Sequence, residues 1–82
     1  MTPIESIYEM ESILAELREP LHAKSAFAVQ RARKKYEQLV DRFFRENPKF
    51  ADPGRRRDCL DDPDHFLNLL ALARETYYSD SA

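Results

Sequence analysis

One glycine and one cysteine occur in 82 residues, and each scarcity excludes something. A lone cysteine excludes an internal disulfide framework. A single glycine beside five prolines excludes a flexible low-complexity chain and argues against sheets, whose tight turns draw on residues that tolerate positive φ. No apolar run approaches the ~18–20 residues that a bilayer span needs. The acidic N-terminal stretch lacks the basic and then apolar segments of a secretion signal. These absences lead us to expect a cytoplasmic chain with no membrane contact. Neither sign of charge is in great excess: 13 bases face 15 acids, for a net charge of −2 and a pI of about 5.6. That balance excludes a generic nucleic-acid coat.

What remains is 43% hydrophobic and 34% charged, the composition of one small helical domain over residues 1–82. A chain this short buries only roughly 60–65% of its unfolded surface, so its stability margin is thin. Ala, Leu, Glu, Arg and Lys dominate, which points to an all-α fold. Thr2, Pro3 and Glu5 fit a capping box, and Ile7, Met10, Leu14, Leu17 and Leu21 then recur every three or four residues. Pro20 should end this first helix near Arg18. Either a tight hairpin between Glu19 and Ser25, the favoured outcome, or one long helix kinked at Pro20 leads into a second helix ending at Glu46 before Asn47-Pro48. Its seam is Val29, Ala32, Tyr36, Leu39 and Phe43. Asp52-Pro53-Gly54-Arg55 reads as a type II turn. Asp62-Pro63-Asp64 opens a third helix that reaches Tyr77 or Tyr78, leaving residues 79–82 as a frayed polar tail. The expected fold is therefore an antiparallel helical hairpin (about 3–18 and 21–46) with a third packed helix (about 63–78).

Charge divides by element. Residues 1–19 carry five acids against Arg18, and residues 20–46 carry seven bases against three acids. Glu5, Glu9, Glu16 and Glu19 form one helical stripe. Lys24, Arg31, Lys34, Lys35, Arg42 and Arg45 form another, opposite the apolar seam of the second helix. The two helices are expected to pair through these charges, with a basic face left pointing outward on Lys24, Arg31, Lys34, Arg42 and Arg45. Phe27 projects toward that basic side or packs in the hairpin turn.

The third helix is apolar almost all round. Phe66, Leu69, Leu70, Ala73 and Tyr77 make a core stripe, while Leu67, Ala71, Leu72 and Tyr78 fall on other faces. A surface helix of a small monomer should not look like this. Either this helix lies between the first two and is covered on several sides, or it buries its spare faces in another chain. Association is the expectation, with another protein or with a second copy in a homo-oligomer. The expected anchors are Phe66, Leu67, Leu70, Leu72 and Tyr78, flanked by Arg55, Arg56 and Arg57 on the turn.

Motifs for chemistry are sparse. Cys59, His22 and His65 lack the paired spacing of zinc ligands. Asp58, Asp61, Asp62 and Asp64 lack the Gly and closing Glu of a calcium loop; helix capping explains Asp62 and Asp64 better, and pairing with Arg55–Arg57 explains Asp58 and Asp61. Arginine neighbours could lower the Cys59 pKa. Glu11 and Arg18 edge the first seam as an ion pair. No nucleophile sits beside a base and no Gly-rich phosphate loop occurs, so neither enzyme activity nor a cofactor is expected. The sequence is therefore read as a small helical protein–protein interaction module: an adaptor, co-chaperone or inhibitor. The alternative is nucleic-acid binding through the basic face of the second helix and the Arg55–Arg57 triplet.

Overall fold

The computed structural model describes residues 2–81. The described residues hold four α-helices and one 3₁₀ turn: α1 (Pro3–Leu21), α2 (Ala26–Glu46), the 3₁₀ turn (Pro48–Phe50), α3 (Pro53–Asp61) and α4 (Pro63–Ser81). The fold is all-α, and its main lines are the hairpin of α1 and α2 with α4 packed upon it.

Local chemistry fixes each helix start. The Thr2 hydroxyl accepts from the Glu5 amide at 3.2 Å, with Pro3 supplying a preset φ at the first helical position. Ser25 caps α2 through the Ala28 amide at 3.4 Å. Asp52 caps α3 by accepting from Gly54 at 2.8 Å and Arg55 at 3.3 Å. The Asp62 carboxylate accepts from the Asp64 amide at 3.0 Å, where Pro63 opens α4.

Helix α1 does not stop at Arg18 but continues through Pro20 to Leu21. Pro20 sits in the last turn, where its missing donor removes one bond only, and the carbonyls of Glu19 and Pro20 are taken by the amides of His22 and Ala23. The chain reverses over residues 22–25, and α2 begins at Ala26 rather than near Leu21. The hairpin is thus real and Pro20 is not a mid-helix kink.

Residues 52–55 are not a type II turn. Gly54 has no positive φ and lies in the first turn of α3, so Arg55, Arg56 and Arg57 stand on a helix. Pro53 and Gly54 fit the start of a helix as readily as a turn, and the Asp52 cap decides between them. The polar segment 79–81 is likewise helical, as the end of α4, while Ala82 lies outside the described residues.

The four helices close a ring in which α1 touches α2 and α4, and α3 bridges α2 and α4 from the opposite side. Ile7, Met10, Leu14 and Leu17 of α1 face Ala32, Tyr36, Leu39, Val40 and Phe43 of α2 across the core. Phe66, Leu69, Leu70 and Ala73 of α4 complete it, with Phe50 and Cys59 at the base. Phe66 stands edge-on to both Tyr36 (5.8 Å) and Phe43 (5.7 Å), an arrangement favoured by ring quadrupoles. The aromatics of α2 therefore reach the apolar faces of α4. No buried side-chain nitrogen or oxygen among the described residues lacks a partner. Among the described residues no helix is long and apolar enough to cross a membrane.

Candidate functional site

Helix α4 was the expected docking element, and burial removes most of its anchors. Phe66 and Leu70 are fully buried in the chain's own core, and Leu67 packs partly against it. α1 and α3 cover α4 on two sides, and the rings of Tyr36 and Phe43 fill the space above Phe66. Of the expected anchors only Leu72 and Tyr78 stay half exposed. They point about 120° apart around the helix and make no common patch. Tyr78 is also engaged, its hydroxyl 2.5 Å from that of Tyr8. This bond raises the Tyr8 pKa, because a hydroxyl held in it resists ionising.

The arginine triplet is partly consumed as well. Arg55 donates to the Phe50 carbonyl at 3.0 Å, closing the 3₁₀ turn onto α3. Arg56 binds Asp41 at 2.8 Å and Glu37 at 3.5 Å, which ties α3 to α2 and raises the Arg56 pKa. Arg57 alone of the three is exposed with no ion pair among the described residues. Arg42 also leaves the proposed outward face. It donates to Glu9 at 2.8 Å and to Glu46 at 2.9 Å, and this double pairing raises its pKa.

Around Arg42 lies a polar niche of about 380 Å³ lined by Thr2, Pro3, Ser6, Glu46, Asn47 and Tyr77. The Ser6 hydroxyl donates to Glu46 at 2.5 Å, and Tyr77 donates to the Asn47 side chain. Glu46 is held below the ordinary carboxylate range, first by the Ser6 hydroxyl and then by Arg42. A carboxylate stabilised in this way is a poor base for Ser6. The cluster works instead as a clasp that fastens the start of α1 to the end of α2. Sequence reasoning missed it; the pairing of Ser6 with Glu46 crosses 40 residues and leaves no local signal.

The remaining ion pairs differ from the expected partition. Glu11 pairs with Arg74 at 2.9 Å and Arg18 with Asp64 at 2.6 Å, so both join α1 to α4 and not to each other. Among the described residues, only Glu9 of the acidic helix reaches a base of α2. Burial overrides the arginines near Cys59: the thiol sits in the core with its pKa pushed up to about 11. No three metal-ligating side chains cluster among the described residues.

The feature that gathers the unpaired charges is the outer groove between α1 and α2. Three shallow depressions run along it from the hairpin turn, and each shares two residues with the next. Pro20 and Ala28 join the first pair, and Leu17 and Lys35 join the second. Leu17, Pro20, Ala28, Ala32 and Ile13 form the floor. Glu16 and Glu19 stand on the α1 rim, Lys24 on the hairpin turn, and Arg31 and Lys35 on the α2 rim. All five are exposed, and none makes an ion pair among the described residues. Phe27, at 70% exposure the most open large hydrophobic side chain described, lies beside the basic rim with the Arg31 guanidinium 5.7 Å from its ring centre. Lys34 and Arg45 extend the basic lane, and Glu5 extends the acidic lane. Both stripes are visible in the sequence. That they flank one groove, and that Glu16, Glu19 and Lys35 belong to the site, depends on helix rotation that sequence periodicity leaves open. Comparison of the chain with family models, curated proteins and solved structures finds no match.

Proposed function

We propose that the chain is a small helical interaction module that docks a partner protein on the outer groove of the α1–α2 hairpin. The observation that carries this reading is the pairing of rims: an acidic lane on α1 and a basic lane on α2, both exposed and unpaired, over an apolar floor. Unpaired lanes of opposite sign suit a protein surface, which carries both signs in turn. Phe27 and its stacked Arg31 are of the residue types that anchor interfaces. In adaptor, co-chaperone or inhibitor roles alike, such a face would supply orientation as well as attraction.

The nucleic-acid alternative retains the basic lane and Phe27, but it loses Arg42, Arg55 and Arg56 to internal bonds. A polyanion laid along the groove would also run beside Glu16 and Glu19. The test is a photo-crosslinking side chain placed at position 27, with position 75 on the exposed side of α4 as control. A protein adduct at 27, absent at 75 and abolished by Lys34→Glu with Lys35→Glu, supports the reading. A nuclease-sensitive adduct replaces it with the alternative. Equal labelling at both positions, or none at 27, refutes it.

A further inference from the structure

We infer that the occupant of this groove is a second copy of the same chain, docked about a two-fold axis parallel to α1 and α2; the inference rests on the groove being a protein-docking face. A two-fold interface must be complementary to itself. Two such axes can lie between apposed hairpin faces. One perpendicular to the helices would set α1 over α1 and α2 over α2, matching like charges. The axis parallel to the helices sets each acidic α1 over the partner's basic α2, antiparallel, as the two helices already lie within one chain.

The register along the axis agrees. At ~1.5 Å per residue, with levels set near the turn by the intramolecular neighbours Leu17 with Ala28 and Ala32 and at the far end by the bonds Glu9–Arg42 and Ser6–Glu46, Glu16 falls at the level of Arg31 to Lys35. Glu19 falls nearer Lys24 and Phe27, and Glu5 at the level of Arg45. The neutral break in the acidic lane at Ser12 meets the neutral break in the basic lane at Gln38. Arg42 and Glu9, already bonded to each other, take no part. Phe27 approaches the partner's Pro20. The strip is ~28 Å long and about two helices wide, roughly 600 Å² per copy, which lies at the small end of stable interfaces. Association should therefore depend on concentration and on salt.

The experiment is light scattering behind size exclusion, with helicity followed by circular dichroism. The wild type is expected to move from the 9.7 kDa of one chain to twice that mass as concentration rises. Raising salt from ~0.1 M to ~1 M, which shortens the screening length about threefold, should return it to one chain. Glu16→Lys with Glu19→Lys, and separately Lys34→Glu with Lys35→Glu, should each stay monomeric and fully helical. Mixed in equal amounts they should recover the double mass, because each lane again meets its opposite. Should either pair fail to fold, Glu5→Lys and Arg45→Glu pose the same question at the far end. A wild type that remains monomeric overturns the inference, and crosslinking at position 27 to a foreign protein would still leave the docking reading standing. A dimer that survives both swaps, or two swapped chains that do not recover on mixing, also overturns it.

Discussion

Replacing Tyr36 with phenylalanine deletes one oxygen, and the structure indicates why that oxygen matters. The Tyr36 hydroxyl donates to the carbonyl of Cys59, a residue fully buried in the last turn of α3. Four residues on stands Pro63, which has no N–H, so the usual helical donor for that carbonyl does not exist. Tyr36 fills the vacancy from α2 and in doing so pins α3 against the core. Burial also raises the Tyr36 pKa strongly, so the hydroxyl stays protonated and remains a donor. Tyr36→Phe conserves the ring and its edge-on contact with Phe66 but orphans a buried acceptor, at a cost of about 1–3 kcal/mol. For a chain of this size that is a fall in Tm of roughly 5–20 °C. Thermal and urea unfolding followed by circular dichroism will measure it. Tyr8→Phe, which breaks an exposed hydroxyl pair, is the control and should leave both unfolding midpoints essentially unchanged. Equal effects of the two substitutions would refute the argument that Cys59 depends on Tyr36.

Other consequences follow from the same geometry. Arg42→Ala removes the clasp to Glu9 and Glu46 in a partly buried setting and should cost about 1–2 kcal/mol, whereas Arg18→Ala breaks an exposed pair with Asp64 and should cost no more than ~0.5 kcal/mol by urea denaturation. Glu46 has its pKa lowered in the folded state by Ser6 and Arg42. The stability it adds is therefore present above the ordinary carboxylate pKa and is lost as pH falls through the folded value. Glu46→Gln should flatten the acid side of a stability–pH curve measured between about pH 5 and 2. Cys59, buried with its thiol pKa pushed up to about 11, should react with a thiol reagent at pH 8 only as fast as the protein opens. Immediate labelling of native protein would contradict its placement.

Much of the fold is legible in the sequence because α1 and α2 carry clean seams and explicit caps. Ile7 to Leu21 and Val29 to Phe43 keep the helical spacing, and Ser25 and Asp62 are short polar residues of the capping type. Helix α3 is not legible. Nine residues beginning Pro-Gly and holding three arginines and two aspartates show no apolar stripe, and only Cys59 enters the core. Its helicity comes from the Asp52 cap, the Arg56 link to Asp41 and the Tyr36 bond, all of them tertiary or capping terms. Phe66, Leu67 and Leu70, expected as anchors on α4, are buried for a related reason. The apolar excess of α4 is absorbed by rings arriving from α2, a contact between segments 23 and 30 residues apart that no window of sequence contains. The charge stripes, by contrast, were readable because they lie on the helical period itself. What the sequence lacked was their orientation toward one common groove.

The central claim is that the outer α1–α2 groove, not α4, is the docking face and that a second copy of the chain occupies it. Amide chemical shifts recorded on uniformly labelled protein over a hundredfold range of concentration, at low and high salt, test it directly. The account predicts shifts confined to residues around Glu16, Glu19, Phe27, Arg31 and Lys34, suppressed at high salt, with Leu72, Glu75 and Tyr78 unmoved. Shifts centred on Leu72 and Tyr78, or no concentration-dependent shift at all, would contradict it.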